Sequence, residues 1–352
     1  MTMLDLDESK NTRWNAIANR ILDGGAIEAE EAVDILQSPD DELMDLLAAA
    51  YRLRRAAFGK KVRLHFLMNA KSGRCEEDCH YCSQSRISDA NIDEYELMDK
   101  ETILDGAKQA EKHNACTFCI VASGREPRPG ELDQVCEAVE EIKENFELNV
   151  CACLGLLTDE DSDQLQEAGV DRVNHNLNTS KDHYPEICTT HTYEDRVDTL
   201  SNVRDSGIEL CSGVLLGMGE TERDMVDVAL HLSEIDVKSL PVNFLNPIDG
   251  TPLEDKWNLN PRKCLKILCM YRFTNPETEV RIAGGREVHL RSMQPLALYP
   301  ANSMFVGDYL TTSGQESNED LQMIEDMGFE VELAEGQEKT TEPEPQQQEA
   351  TV

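Results

Sequence analysis

Three cysteines stand close together in Arg74-Cys75-Glu76-Glu77-Asp78-Cys79-His80-Tyr81-Cys82, a C-x3-C-x2-C triplet with an aromatic residue before its last member. Thiolates at this spacing reach one metal centre from one short loop. A [4Fe–4S] cubane takes four protein ligands, usually cysteines, so a triplet leaves one iron open to a small chelating molecule. The spacing also suits zinc, with His80 as a fourth ligand. The triplet alone leaves both readings open.

Other sulfur and amide side chains recur downstream, and only an ordered scaffold can bring them to the same place. From Val62 onward, short apolar or β-branched runs alternate with amphipathic helical segments, as in parallel βαβ units. Candidate strands cover 62–69, 116–123, 148–155, 172–178, 209–216, 239–245, 279–283 and 303–308. Eight strands alternating with helices predict an α/β fold, a (β/α)8 TIM-type barrel whose site lies at the C-terminal ends of the strands. Thr158-x-x-Asp161 and Thr221-x-x-Asp224 read as helix-opening capping boxes, and Gly169 and Gly207 as helix stops. Residues 13–58 read as an N-terminal helical extension packed on the barrel, interrupted at Ser38-Pro39-Asp40. The expected domain limits are 1–12 without structure, 13–58 helical, 59–330 barrel, and 331–352 an acidic tail that cannot bury a core.

On this scaffold Cys119 falls on the second strand, Cys151 and Cys153 on the third, and Asn174, Asn176 and Asn178 on the fourth. Cys211 follows on the fifth, Asn243 on the sixth and Arg281 on the seventh. Alternation along a strand puts the three asparagines on one face, with His175 turned away. Buried amides need partners, so three in a row point to a ligand. Any one of Cys119, Cys151 and Cys211 could be a small buried residue. Together they can converge on a second metal centre, with Cys153 as a competing thiol one layer from Cys151. Cys116 faces the helix side, and Cys136, Cys188, Cys264 and Cys269 receive no role. Gly213-x-Leu215-x-Gly217-x-x-Glu220 lets backbone approach a flat ligand closely.

The chain has 352 residues, with 33 Lys+Arg against 69 Asp+Glu and a formal charge of −36. No basic block suits nucleic acid, and the charge repels anionic membranes. No window is apolar enough to span a bilayer and no signal peptide is visible, so a cytoplasmic protein with reduced cysteines is expected. Acidity spread over the folded body suits a protein that stays soluble in concentrated salt, where self-repulsion is screened. A halophilic source is expected on this ground.

The triplet resembles the cluster loop of radical-SAM enzymes, in which the open iron binds S-adenosylmethionine (SAM). More specifically, Met68 to Ser85, the run Asn174-His175-Asn176-Leu177-Asn178-Thr179-Ser180, Cys211-Ser212-Gly213, Pro241-Val242-Asn243-Phe244 and Gly285-Arg286-Glu287 resemble, in order, the motifs of the biotin synthase family. The resemblance covers roughly residues 50 to 330. It implies a [4Fe–4S] cluster on Cys75, Cys79 and Cys82, and a [2Fe–2S] cluster on Cys119, Cys151, Cys211 and Arg281. It implies SAM near Asn176, Asn178, Tyr81 and Leu215, and dethiobiotin near Asn174, Asn243, Thr311 and Thr312. The implied reaction is radical insertion of sulfur into dethiobiotin, with the [2Fe–2S] cluster as sulfur donor. A ferredoxin or flavodoxin electron donor and a homodimer are implied as well. Another radical-SAM enzyme, or a non-catalytic iron–sulfur protein, would lack a reason for the Asn174-x-Asn176 pair and the second cysteine set.

Overall fold

The computed structural model describes residues 8–73 and 75–337. Its centre is a parallel sheet of strands β1 (Lys61–Lys71), β2 (Thr117–Ala122), β3 (Asn149–Cys153), β4 (Arg172–Asn174), β5 (Glu209–Cys211), β6 (Val214–Leu216), β7 (Ser239–Phe244), β8 (Glu279–Ile282) and β9 (Ser303–Val306). Pairing of β1 with β9 closes the sheet into a barrel. β5 and β6 are one barrel strand interrupted at Ser212-Gly213; both pair with β7. The interruption sits where the chain runs close against β7: a Cβ on Gly213 would lie 2.0 Å from the Pro241 carbonyl oxygen. Eight barrel strands therefore stand where eight were expected.

A short strand, β10 (Glu330–Glu332), pairs with the start of β1. It lies in the stretch expected to be a structureless tail, and Gln337 still donates to the Ala115 carbonyl at 2.9 Å. The low apolar content of this stretch hides the strand because its contribution is ionic, with Glu332 2.9 Å from Arg63. Residues 338–352 of the expected tail lie outside the described residues. At the other end, helix α1 (Glu8–Leu22) begins inside the expected unstructured segment, and residues 1–7 lie outside the described residues.

α2 (Ala29–Gln37) and α3 (Leu43–Phe58) complete the extension, with the break at Ser38–Pro39. Arg54 of α3, fully buried, ties it to the barrel floor by donating to the Ala301 and Lys61 carbonyls at 3.3 and 2.6 Å. Around the barrel run α4 (Lys100–Lys112), α5 (Glu131–Asn145), α6 (Asp159–Glu167), α7 (Tyr193–Asp205), α8 (Glu222–Glu234), α9 (Pro261–Thr274), α10 (Arg286–Leu290) and α11 (Ser317–Asp326). α6 and α8 open on the expected capping boxes, and α7 on a third at Thr192 and Asp195. Among the described residues no helix is long and apolar enough to cross a membrane.

Inside the barrel, period-two alternation stacks side chains in layers. The lowest is polar: Arg172, Ser239, Glu279 and Ser303 stand at strand starts, with His65 of β1 against Glu279. Above it, Cys119, Cys151, Cys211, Ala283 and Phe305 form a small buried cluster of their own.

Candidate active site

Register explains the middle layer. Cys119 of β2 is the in-register partner of Cys151 of β3, and Asn174 of β4 that of Cys211 of β5. Arg281 of β8 reaches the same layer, its Nη1 4.0 Å from Cys211 Sγ and its guanidinium over the Phe305 ring at 5.0 Å. Its other donors are committed: Nε to Ser303 Oγ at 3.3 Å, and Nη2 to Glu279 Oε1 at 3.0 Å and to Ser239. Only the Nη1 end remains to face the sulfurs.

Glu279 is fully buried and carries more than Arg281. Its carboxylate also meets Arg172 Nη1 at 2.9 Å and Arg63 Nη1 at 3.3 Å, and His65 Nε2 lies 2.7 Å away. Arg63 and Arg172 have second partners in Glu332 and Glu209, so three guanidiniums face three carboxylates. Burial alone would raise the Glu279 pKa; the cationic and polar neighbours outweigh it and hold the carboxyl well below the usual range. Burial likewise opposes a charged Arg281, but the Glu279 carboxylate holds the guanidinium cationic. Burial, then Arg281, depresses His65 to about 4, so its imidazole is neutral at pH 7. A charge two residues before Arg281 on an otherwise apolar strand was the sequence signal for Glu279, and strand parity alone could have found it.

Cys151 and Cys211 are protonated in the free protein. Contact with Cys119 and burial push Cys151 well up, and contact with Cys151 and burial do the same to Cys211. Cys153 lies one layer higher, with burial raising it to about 11. It does not belong to the buried cysteine cluster.

Above the layer opens a cavity of about 290 Å³. Cys119, Cys151 and Arg281 line its floor and Tyr81 and Cys82 its wall. Asn174, Asn176, Asn243, Leu215, Thr311 and Thr312 line the space between. Cys211 lies fully buried in the cysteine layer, and Cys75 opens on a different cavity beside Arg125. Cys79 and Asn178 line neither.

The asparagines converge, but not by strand alternation. β4 ends at Asn174, and Asn176 and Asn178 belong to the loop beyond it. Asn178 has φ +68°, a left-handed conformation that asparagine tolerates better than most residues. Asn174 Nδ2 donates to Asn176 Oδ1 and Cys211 Sγ, each at 3.2 Å. Asn176 Oδ1 also accepts from Gly213 N–H at 3.0 Å. Asn178 Nδ2 donates to the Tyr81 hydroxyl at 2.7 Å, which fixes that ring beside the triplet. Asn243 accepts from Gly284 N–H and donates to the Val214 carbonyl, both at 3.0 Å. Thr311 shares a 2.8 Å hydroxyl contact with Ser83, next to Cys82. His175 is buried and its imidazole is held neutral by burial and by Arg196, as suits a structural residue.

The triplet loop is shaped from outside. Asp78 Oδ1 accepts from Thr189 N–H at 2.8 Å and Thr190 N–H at 3.2 Å, and its Oδ2 accepts from the Thr189 hydroxyl. Burial alone would raise Asp78; these donors outweigh it and hold the carboxyl well below the usual range. Glu77 meets Arg125 at 2.7 Å and His191 Nδ1 at 2.5 Å. The His80 N–H donates to the Ile187 carbonyl at 2.9 Å. Half-buried Arg196 donates from Nη1 to the Asn176 carbonyl at 2.8 Å and from Nη2 to His191 Nε2 at 3.0 Å. The sequence reading missed Asp78, Glu77, Thr189, Thr190, His191 and Arg196. Acidic residues between the cysteines were the only local hint. Burial raises Cys75, and raises Cys82 to about 11, so the triplet too consists of thiols before a metal displaces their protons.

A barrel with a three-cysteine loop beyond its first strand is the arrangement of a radical-SAM enzyme. The profile described as Radical SAM superfamily matches residues 70–232, and that described as Biotin and Thiamin Synthesis associated domain matches residues 241–330. The chain is 57% identical over 321 residues to a biotin synthase of Anoxybacillus flavithermus, covering 91% of this chain and 98% of that one. It is 54% identical over 323 residues to a biotin synthase of Bacillus subtilis strain 168, covering 92% and 96%. The chain belongs to the biotin synthase family, whose members use SAM, a [4Fe–4S] cluster and a [2Fe–2S] cluster to insert sulfur into dethiobiotin. Among solved structures, methylornithine synthase superposes with a TM-score of 0.79 at 20% identity, covering 91% of this chain and 98% of that one. The FeFe-hydrogenase maturase from Carboxydothermus hydrogenoformans superposes with a TM-score of 0.78 at 17% identity, covering 93% and 81%. These two likenesses concern the fold alone.

Proposed function

We propose that Cys75, Cys79 and Cys82 hold the [4Fe–4S] cluster and that Cys119, Cys151, Cys211 and Arg281 hold the [2Fe–2S] cluster. The observation that carries this reading is the cavity of about 290 Å³ with Cys82 in its wall and Cys119, Cys151 and Arg281 in its floor. The donor chemistry fits, since soft thiolates suit iron–sulfur centres. With both clusters and SAM bound, the cofactors supply a carbon radical that takes hydrogen from dethiobiotin and the sulfur that replaces it.

The protein positions the substrate between them. An amide side chain has two N–H donors and two acceptor lone pairs. Asn243 uses one of each on the backbone, which orients it and leaves one of each for a cyclic urea. Asn174 uses Nδ2 within the protein and leaves Oδ1 for a ureido N–H. Thr311 and Thr312 offer hydroxyls at the cavity for the substrate carboxylate. Asn176, Asn178, Tyr81 and Leu215 lie on the side of the triplet and suit SAM. Enclosure by apolar residues keeps water and stray hydrogen donors from the reacting carbons.

The charge of −36 supports salt adaptation, and twelve free cysteines support a reducing, cytoplasmic setting with a ferredoxin or flavodoxin as electron donor. Exposed Trp257 and Val288 offer apolar surface for a homodimer.

The test is anaerobic reconstitution in concentrated potassium chloride, followed by SAM, dethiobiotin and reductant, with biotin read by mass. Biotin formed with loss of the [2Fe–2S] absorbance is expected. 5′-Deoxyadenosine without biotin would discard the substrate placement, and neither product from doubly loaded protein would sink the cluster assignment.

A further inference from the structure

Cys188 has no place in the reading above, yet its Sγ lies 3.8 Å from that of Cys79. Both thiols are buried, Cys79 at 7% exposure and Cys188 at 2%. Cys188 Sγ is also 3.3 Å from Asp78 Oδ1 and 3.3 Å from His191 Nδ1, and 3.6 Å from the Thr190 hydroxyl. Two sulfurs and an imidazole this close can suggest a metal site. The hydrogen bonds of His191 speak against one. Arg196 can only donate, so His191 Nε2 accepts, as it can from the Tyr184 hydroxyl at 2.8 Å. The ring proton is then on Nδ1, bonded to Glu77, and no imidazole lone pair faces the sulfurs. What remains is a pair of thiols held side by side by a segment anchored to the triplet loop.

We propose that Cys79 and Cys188 are a reversible redox pair, joined as a disulfide by a low-molecular-weight disulfide when no cluster is bound. The inference rests on the triplet as the [4Fe–4S] site, because joining the pair removes one of its three ligands. In the first exchange Cys79 takes one half of the small disulfide and releases the other half as a thiol. In the second, Cys188 displaces the remaining half, which leaves as a second thiol. One sulfur–sulfur bond forms and one breaks, the two cysteines are oxidised, the small disulfide is reduced, and both cysteine protons end on the released thiols. From 3.8 Å the two sulfurs need approach by only about 1.8 Å to reach a bond of about 2 Å. The pair blocks cluster loading until a dithiol reverses it, and it keeps Cys79 off the irreversible steps of the oxidation ladder.

The experiment uses the full-length, cluster-free protein with oxidised glutathione, then alkylation, digestion and peptide mass mapping. A Cys79–Cys188 linked peptide is expected, with [4Fe–4S] loading down several-fold and restored by dithiothreitol. In Cys188→Ser the adduct is expected to stay on Cys79, with loading under reducing conditions equal to wild type. A wild-type map showing Cys79 as a lasting adduct, or joined to Cys75 or Cys82, overturns the proposal. That map needs no variant, so misfolding of Cys188→Ser would not blunt it. A linked peptide from a protein that never takes up a cluster when reduced would keep the pair and discard the cluster site.

Discussion

Cys119 and Cys151 face each other because β2 and β3 pair in register, whereas the triplet keeps its shape because Thr189, Thr190 and His191 bond to Asp78 and Glu77 from more than a hundred residues away. The strand-borne set rests on a layer of charge beneath it, and the loop-borne set on hydrogen bonds beside it. A ligand on a strand inherits its position from the sheet ladder, and its supports are a few residues away by strand parity. A ligand on a loop needs supports from another part of the chain. The first set should thus fail with the barrel, and the second should fail while the barrel stands.

The sharpest way to break this contrast is at Glu279. Glu279→Ala takes a carboxylate from buried Arg281 and from the partly buried Arg172 and Arg63, a loss of about 3–5 kcal/mol for breaking a buried ion network. Thermal unfolding of the cluster-free protein should fall markedly, with both clusters affected; an unchanged melting temperature would show that the floor does not carry the barrel. Next is Asp78→Ala, which strands the Thr189 and Thr190 N–H groups and the Thr189 hydroxyl at a cost of about 1–3 kcal/mol for each buried group. Here iron and sulfide analysis should show loss of [4Fe–4S] loading with [2Fe–2S] loading kept; equal loss of both would erase the distinction. Third, acid acts on the floor through His65. Its pKa is about 4 in the fold, so between pH 6.5 and 4 the unfolded chain binds a proton that the native one does not. Stability should fall by about 1.4 kcal/mol for each pH unit in that window, read as the urea midpoint at pH 7 and pH 5, and His65→Gln should flatten the dependence. The smallest change is Thr311→Ala, expected to raise the KM for dethiobiotin several-fold, about 1 kcal/mol, with kcat nearly unchanged; an altered kcat would place Thr311 closer to the chemistry.

The same contrast governs what the sequence could reveal. Periodicity located all eight barrel strands and put Cys119, Cys151 and Arg281 on β2, β3 and β8, while their grouping at one centre came from the family resemblance. Parity failed at Asn176 and Asn178, because β4 stops at Asn174 and the loop brings them back by hydrogen bonds to Gly213 and Tyr81. It also joined β5 and β6 into one run, since nothing local marks how near Gly213 comes to Pro241. Thr189 and Thr190 were illegible as supports, since their partners lie 111–113 residues earlier. Glu332 was missed because a three-residue strand in an acidic stretch has no apolar signature.

Glu332 has a consequence for how the molecule is made. It pairs with Arg63, 269 residues before it in the chain. A ribosome delivers the chain from its N-terminal end, so Arg63, Arg172 and Arg281 all emerge before this last carboxylate. During synthesis Arg63 lacks this partner until β10 is released, after β9, whose pairing with β1 closes the barrel, has already emerged.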